Sequence, residues 1–495
     1  MSGHIRKRKH LLNLRQLGRI MGWLLIIEAG FLLIPTLTAA FYHESDWLPF
    51  AATTVLTGLT GLLLSRYIRP QSHHMGKRDG FLLTASVWVV FSFFGLIPFL
   101  FCTHNLGYTD AFFEAMSGFT TTGASAIKEP SAMSHGIHMW RAMMQWIGGM
   151  GIILFTLAVI PMLNHSGGIQ MFNAEVTGIT HDKIRPRINQ TAKQLWLIYI
   201  SLTIILILLL WLGPMSFFES VCHAFGTIST GGYSTDTAGI TAWDSSVYVK
   251  LVVIVFMFFG GVNFSLVYRA LRGDFAALRR NDVLKTYLCI IGVATALFIV
   301  AIIAGGSGRN WMQYSIDPLF QVVSTLTSTG YVVAGFSSWG AFVLGIALVM
   351  MFFGACAGST SGGAKIDRII FLFKNIRNEV ERTIFPNSIR SVSINGRVAN
   401  SELVTKVIAF LCLYVLIIIA GGIVIAAMGV PLGEAFFSAF SCISNTGFST
   451  EVRGWGGGFD LLPDAAKWVL ALLMLIGRLE IFTVLVLFTP AFWRR

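Results

Sequence analysis

The sequence predicts an all-α, polytopic membrane protein in which two leading helices precede four repeats of a long helix, a short segment and a second long helix. Three observations predict this fold. Charged residues make up only 12% of the 495 residues, against about 25% in soluble proteins. Apolar runs long enough to cross a bilayer recur along the chain. A Thr-Gly motif recurs four times, and an internal repeat of this kind organises a whole fold.

The four motifs align on one glycine, at intervals of about a hundred residues, at Gly123, Gly231, Gly330 and Gly447. A threonine precedes each glycine: Thr122, Thr230, Thr329 and Thr446. One place earlier stands a small polar residue: Thr121, Ser229, Ser328 and Asn445. Each motif follows a short apolar segment and lies between two long apolar runs. Every repeat is therefore predicted to hold a first long helix (M1), a short helix (P) and a second long helix (M2).

The amino terminus combines a basic cluster at residues 4–10 with an apolar run over residues 20–41. A cleaved signal peptide shares these features, but this run can cross about 30 Å and no small-residue cleavage site closes it convincingly. We therefore predict a retained first helix, followed by a second helix over residues 47–65. These helices occupy residues 1–79, and the four M1–P–M2 repeats are predicted at 80–190, 191–282, 283–398 and 399–495, which makes ten spanning helices.

Basic residues predict the topology. Of the 36 Lys and Arg, 29 fall in alternate segments, at 1–19, 66–79, 164–193, 269–285, 365–406 and 493–495. The intervening loops hold only Lys128, Arg309 and Arg453. Because cytoplasmic loops carry the excess of Lys and Arg, both termini are predicted to be cytoplasmic and the four motifs to face outwards. The net charge of +12 thus indicates topology and argues against nucleic-acid binding.

Acidic residues concentrate in the outward loops, where they either attract cations to a mouth or are simply solvated. Asp110 and Asp317 also stand where the N-caps of two P helices are expected.

The short P segments indicate a path for cations. A segment too short to span must enter and return, which is tolerated where its backbone is buried in protein or lines a wet cavity. A helix entering from outside directs its partially negative carboxyl end at the membrane centre. The glycine after it permits unusual φ values, so backbone carbonyl groups can turn inwards and replace the hydration shell of a large monovalent cation.

These motifs resemble the Trk/Ktr/HKT superfamily of cation transporters, whose single chains carry four M1–P–M2 repeats around one K⁺ pore. The resemblance covers residues 81–495, and the two leading helices make the chain similar to the TrkH branch. It implies that K⁺ is the transported ion and that the selectivity filter falls on Thr121-Thr122-Gly123, Ser229-Thr230-Gly231, Ser328-Thr329-Gly330 and Asn445-Thr446-Gly447. Relatives with serine at the first glycine tend to pass Na⁺. The chain departs from the pattern at Ala124 and Gly232, where the other two motifs continue with Tyr331 and Phe448.

The predicted M2 helix of the third repeat is interrupted over residues 353–365 by small residues, which cannot stay regularly helical at membrane depth without internal partners. We predict a gate there, beneath the filter, and the resemblance implies the same. Its candidate residues are Gly354, Gly358, Ser359, Thr360, Ser361, Gly362, Gly363 and Lys365. A glycine-rich packing surface is the alternative, and a phosphate loop is excluded because Ala364 stands where it needs lysine.

Arg478 lies inside the last predicted helix, where a charge must face the bundle interior or water. The resemblance implies an arginine in the cavity beneath the filter, which would lower cation throughput. A structural ion pair with Glu480 or Glu28 is the alternative.

The resemblance also implies a homodimer and a TrkA-like cytosolic ring that binds NAD or ATP. The basic segment 365–400 could dock this ring or bind lipid head groups, through Lys365, Arg368, Lys374, Arg377, Arg382 and Arg390.

A Na⁺-permeable pore, or K⁺ symport with Na⁺ or H⁺, is the closest alternative function. An intramembrane enzyme is disfavoured because no nucleophile–base set lies centrally in a span. The expected location is a bacterial inner membrane.

Overall fold

The computed structural model describes residues 12–70, 75–151, 188–305, 311–333, 336–386, 392–398, 401–448 and 458–494. Within these ranges the chain is helical, apart from loops, short 3-10 turns and one hairpin of two strands. The basic cluster 4–10, Arg309, Arg390 and Arg453 lie outside the described residues.

The two leading helices are α1 (Leu14–Phe41) and α2 (Trp47–Tyr67). Asn13 caps α1 by accepting a hydrogen bond from the backbone N–H of Gln16 at 3.2 Å. The helices touch through small residues: a Cβ added to Gly22 would lie 2.5 Å from the backbone nitrogen of Ser65 and 2.7 Å from the carbonyl oxygen of Gly61. Because backbones approach this closely only without side chains between them, the pair packs as membrane helices do.

We expect Gly22→Ala to lower the thermal stability of the detergent-solubilised protein, because the new methyl group forces α1 and α2 apart; overpacking of this kind costs about 1–3 kcal/mol. Gly30→Ala is the matched control, since an added Cβ there meets nothing within 4 Å. A thermal unfolding midpoint that falls for both variants alike, or for neither, would contradict this packing.

Repeat 1 contains α3 (Lys77–Gly95), a short α4 (Ile97–Phe101), the P helix α5 (Tyr108–Phe119) and the M2 helix α6 (His135–Gly149). Repeat 2 contains the M1 helix α7 (Ile188–Trp211), the P helix α8 (Phe217–Ile228), an M2 region of α9 (Val247–Gly261) and α10 (Phe264–Leu271), and a short α11 (Phe275–Arg280).

Repeat 3 contains the M1 helix α12 (Asp282–Ala304), the P helix α13 (Trp311–Leu326), an interrupted M2 of α14 (Ala341–Phe353) and α15 (Ile366–Ile384), and the strands β1 (Ser393–Ile394) and β2 (Arg397–Val398). Repeat 4 contains the M1 helix α16 (Ser401–Ala427), the P helix α17 (Leu432–Ile443), the M2 helix α18 (Asp464–Arg478), and short α19 (Phe482–Leu485) and α20 (Pro490–Trp493). The M1 helices begin within three residues of the predicted repeat boundaries.

Six of the described helices are long and apolar enough to cross a membrane, and eight spans result if two bent pairs are each counted as one. The bends are 107° between α9 and α10, and 112° between α18 and the α19 segment. The other two predicted spans involve α6, whose continuation past residue 151 lies outside the described residues, and the short apolar helix α14.

Sequence reasoning found the break in the third M2 and missed the bends in the second and fourth. The M2 helices of repeats 1, 2 and 4 each bring a glycine against the last carbonyl group of their own P helix: Gly148 meets the carbonyl oxygen of Phe119, Gly260 that of Ile228, and Gly477 that of Ile443. A side chain would fill this space, so each glycine lets M2 cross close beneath P. The sequence signal for this close crossing was the pair of glycines, or the single glycine, in each of these M2 segments.

The repeats close into a ring. Each P helix packs on its own M1, and the P helices α5, α8 and α13 also pack on the M2 helix of the preceding repeat, so that α18 of repeat 4 contacts α5 of repeat 1. Two buried lysines join these neighbours: Lys250 pairs with Asp317 at 2.7 Å, and Lys467 pairs with Asp110.

The prediction that Asp110 and Asp317 are N-caps is therefore wrong. Asp110 lies in the first turn of α5, whose N-cap is Gly107, and Asp317 lies inside α13. The physical reason is that a lysine buried in a neighbouring helix needs a carboxylate partner more than the helix terminus does.

Candidate ion-conducting site

Four short backbone segments meet where the P helices end, and we call them the ring segments: residues 121–123, 230–232, 328–330 and 445–447. Each begins with a non-glycine residue in the left-handed region: Thr121 (φ 53°), Thr230 (56°), Ser328 (55°) and Asn445 (52°). Each ends with a glycine at positive φ: Gly123, Gly232, Gly330 and Gly447. A left-handed non-glycine residue costs about 1–2 kcal/mol, so four at one position indicate a backbone conformation that the surrounding structure must hold.

The four glycines close a ring. A Cβ added to Gly123 would overlap the carbonyl oxygen of Gly231 in repeat 2. The same overlap occurs between Gly232 and Thr329, between Gly330 and Thr446, and between Gly447 and Thr122. Each repeat therefore contacts the next in the order 1-2-3-4-1, backbone against backbone. Alternating signs of φ also let successive peptide groups face the same side.

The structure corrects the predicted register in repeat 2. Sequence reasoning aligned Ser229-Thr230-Gly231 with the other motifs, whereas the structure aligns Thr230-Gly231-Gly232. The backbone N–H of Gly231 donates to the carbonyl of Gly226 at 2.8 Å, and the matching bonds in the other repeats are donated by the residue before the glycine, for example Thr122 to Ser117 at 2.9 Å. Ser229 is instead the C-cap of α8.

The physical reason for the shift is Gln145. In repeats 1, 3 and 4 a threonine hydroxyl at the middle ring position bonds a hydroxyl two residues earlier, at 2.7–2.9 Å. In repeat 2 the middle residue is Gly231, and Gln145 of α6 occupies the vacated space, donating to the Gly231 carbonyl at 2.7 Å and accepting from the N–H of Tyr233 at 3.2 Å.

The corrected register changes which residues are equivalent. Tyr233 now aligns with Tyr331 and Phe448, so only Ala124 departs from an aromatic residue after the glycine. A signal for this register was present in the sequence. Thirteen residues before each ring glycine stands an acid, and repeat 2 joins the pattern only if Gly232 is used: Asp110, Glu219, Asp317 and Glu434.

A cavity of about 250 Å³ lies against the ring on the side predicted to face outwards, and all four ring glycines line it. Its walls carry the acidic residues Glu129, Asp236 and Asp460, and the basic residues Lys128 and Arg141.

The predicted gate region forms a non-helical break segment, residues 354–365, between α14 and α15. Gly354, Gly358 and Gly363 have φ values of 64°, 75° and 76°, and the backbones of Gly354 and Gly363 touch, so the segment folds back on itself. Ser359 bonds Ser361 at 3.0 Å, and the ammonium group of Lys365 donates to the carbonyl oxygen of Ser361. Lys365 itself has a φ of 76°.

The break segment contacts three repeats at the side of the ring opposite the cavity. Gly362 donates to the Ser328 hydroxyl at 2.5 Å, and Gly363 donates to the carbonyl oxygen of Ser444 at 3.1 Å. The hydroxyl of Thr360 lies 3.2 Å from the carbonyl oxygen of Ile228 and 3.3 Å from the hydroxyl of Thr230. A Cβ added to Gly362 would overlap the Ser444 carbonyl, so the contact needs glycine there.

Arg478 joins the break segment to repeat 1. Its guanidinium group donates to the carbonyl oxygen of Thr360 at 2.8 Å and to those of Gly148 and Gly149 at 2.6 and 3.0 Å. Glu480, one of the two acids considered as its partner, instead accepts from Arg368 at 2.6 Å. Arg478 and the break segment together therefore contact all four repeats.

Two of the basic residues assigned to a docking surface are buried. Lys365 contacts Ser361, and Arg368 donates to the carbonyl of Ala364 and to Glu480 while stacking on Phe410. These two residues are therefore not available to a partner, because their charged groups are buried and bond inside the protein beside the break segment. Arg377 and Arg382 on α15 are exposed, and each pairs with a glutamate one turn away.

Fold and centre together define a multi-pass membrane protein built from four pseudo-symmetric repeats around one ring of backbone. The chain belongs to the TrkH family, described as "Cation transport protein", whose model matches residues 50–281 and 283–495. The predicted family and fold class are confirmed.

The relatives are similar over their whole length. The chain is 36% identical over 488 residues to the Trk system potassium uptake protein TrkH of Escherichia coli (strain K12), covering 98% of this chain and 100% of that protein. It is 35% identical over 498 residues to the protein of that name from Vibrio parahaemolyticus, with the same coverage. The crystal structure of the potassium transporter TrkH from Vibrio parahaemolyticus matches with a TM-score of 0.87 and 32% identity, over 97% of this chain and 100% of that chain.

Proposed function

We propose that this protein takes up K⁺ through a gated pore whose selectivity filter is the four ring segments. The observation that carries the proposal is the closed ring, in which each ring glycine touches a carbonyl oxygen of the next repeat. Carbonyl rings of this kind replace the hydration shell of a dehydrated monovalent cation. The names of the relatives support K⁺ as that cation.

The surrounding structure suits this role. The P helices α5, α8, α13 and α17 end at the ring, so their partially negative carboxyl termini favour a cation at its centre. The acidic walls of the adjoining cavity raise the local cation concentration. On the other side, the break segment and Arg478 form the closed gate, which must move aside before an ion can leave the ring.

Membership of the family supports a proposal about partners and location. We propose a homodimer in a bacterial inner membrane, with both termini cytoplasmic, controlled by a TrkA-like cytosolic ring that binds NAD or ATP. With Lys365 and Arg368 buried, the described part of the docking surface is the exposed basic face of α15, at Lys374, Arg377 and Arg382. Lipid head groups are the alternative ligand of this face.

Cation competition in liposomes tests the function. The purified protein is reconstituted, and uptake is compared for K⁺, Rb⁺, Na⁺ and Li⁺, with and without an imposed Na⁺ or H⁺ gradient. We expect K⁺ and Rb⁺ to pass well ahead of Na⁺ and Li⁺. Equal passage of Na⁺ would favour the Na⁺-permeable alternative, uptake that requires a Na⁺ or H⁺ gradient would favour a symporter, and no cation flux at all would contradict the proposal.

A further inference from the structure

A buried charge pair stands behind the ring in repeat 1. Glu114 on the P helix α5 is fully buried and accepts from the Nε of Arg141, on the M2 helix α6, at 2.7 Å. A buried pair of this kind is costly unless further hydrogen bonds satisfy both charges. These bonds are present, and most of them go to backbone or side chains just beyond the ring segments.

On the carboxylate side, Glu114 accepts from the hydroxyl of Ser125 at 3.1 Å and from the backbone N–H of Ala126 at 3.0 Å. Ser125 and Ala126 follow Gly123 by two and three residues. The carboxylate therefore holds the chain where it leaves the ring in repeat 1.

On the guanidinium side, Arg141 reaches repeat 2. It donates to the carbonyl oxygen of Ser234 at 3.2 Å and stacks over the ring of Tyr233 at 4.1 Å. The hydroxyl of Tyr233 in turn donates to the carbonyl oxygen of Glu114 at 3.0 Å. One network thus ties the outer ends of two neighbouring ring segments together.

In repeats 2 and 3 the equivalent P-helix residues hold the chain just beyond the ring without a charge pair. Nine residues before the ring glycine stand Glu114, His223 and Gln321 in repeats 1 to 3. His223 bonds the hydroxyl of Ser234 at 3.0 Å, and Gln321 accepts from the N–H of Val333 at 3.2 Å. Repeat 1 alone of these three has no aromatic residue after its ring glycine, because Ala124 stands where Tyr233 and Tyr331 stand.

We infer that Glu114 and Arg141 are positioning residues that set the ion selectivity of the pore, by holding the ring segment of repeat 1 in the place that an aromatic residue secures elsewhere. The inference rests on the proposed function. The charge pair supplies the rigid support that Ala124 is too small to give. It also couples the position of the ring segment in repeat 1 to that of the ring segment in repeat 2.

The test compares the K⁺-to-Na⁺ uptake ratio of the full-length protein and its variants in liposomes. We expect Glu114→Gln to lower this ratio about tenfold, since a buried charge loses its partner and the ring segment loses its anchor. Total flux should fall as well, because the uncompensated Arg141 faces the outer cavity. Ser125→Ala removes one hydroxyl from the same network without unpairing a charge, and we expect a smaller fall in the ratio.

The double variant Glu114→Gln with Arg141→Gln separates position from charge. We expect it to recover flux, because no buried charge is left unpaired, while the ratio stays low. A ratio restored to the wild-type value would overturn the positioning role in favour of a purely electrostatic one. Asp110→Asn is the matched control, since Asp110 is on the same helix and pairs with the buried Lys467 of α18. We expect lower thermal stability with an unchanged ratio.

A control ratio that falls as far as that of Glu114→Gln would overturn the inference. A ratio unchanged in both Glu114→Gln and Ser125→Ala would do so too, and Ser125→Ala decides alone if Glu114→Gln does not fold. The K⁺-to-Na⁺ uptake ratio of the wild-type protein tests the proposed function separately from this inference. If the wild-type protein shows no preference for K⁺, the proposed function fails; if it prefers K⁺ and the variants do so equally, only this inference fails.

Discussion

Gly123→Ser is expected to abolish the preference for K⁺ over Na⁺. The added Cβ would overlap the carbonyl oxygen of Gly231, and a side chain at a φ of 78° is strained in any surroundings. The ring segment must shift, which displaces the carbonyl groups that we propose replace the ion's hydration shell. We expect the K⁺-to-Na⁺ uptake ratio in liposomes to fall by at least about tenfold, which corresponds to about 1.4 kcal/mol of discrimination.

Gly292→Ser is the control for this variant. Gly292 lies on α12, where an added Cβ meets nothing within 4 Å, so we expect the wild-type ratio. Gly232→Ser should behave as Gly123→Ser does, because the structure makes these two glycines equivalent. If Gly123→Ser keeps the wild-type preference while Gly292→Ser loses it, the ring is not the filter.

Arg478→Ala is expected to raise K⁺ flux about tenfold. The guanidinium group holds the break segment to α6 through three backbone carbonyl groups, and charged hydrogen bonds of this kind each contribute about 1.5–3 kcal/mol. Without them the proposed closed gate loses stability relative to an open one. The positive charge beneath the ring is removed at the same time, which lowers the barrier to a cation. Initial rates of K⁺ uptake, at equal amounts of reconstituted protein, measure the effect.

Arg269→Ala serves as the comparison, since Arg269 is exposed on α10 and pairs with Asp274 at the surface. Its flux should equal that of the wild-type protein, because surface ion pairs of this kind contribute about 0–1 kcal/mol. Unchanged or reduced flux in Arg478→Ala would mean that the arginine supports the pore rather than closing it.

Much of the fold follows from patterns that are local in the chain. Apolar runs predicted the spanning helices, and the recurring Thr-Gly motif predicted the fourfold repeat, because length and hydrophobicity decide which segments can cross a bilayer. The break in the third M2 could also be predicted from the sequence, since a run of Gly, Ser and Thr does not continue a regular helix at membrane depth without internal partners. The ring residues were found in repeats 1, 3 and 4 because their motifs are continuous in sequence.

The predictions that failed were those that depend on contacts between residues distant in sequence. The register of repeat 2 was missed by one residue because Gly231 stands where the other repeats have threonine, and only the structure shows Gln145 filling that space. Lys365 and Arg368 were assigned to the surface because a basic loop normally is, whereas both are buried against the break segment.

By itself, then, the sequence determined which segments form long apolar helices and how often the Thr-Gly motif recurs, and it predicted a cation path, since each of these depends on the composition of a continuous stretch. The tertiary structure decided which glycine closes the ring, which acid pairs with which buried base, and that Arg478 bonds carbonyl groups of two repeats. These contacts join residues from about 67 to more than 300 positions apart, and their geometry exists only once the four repeats have closed.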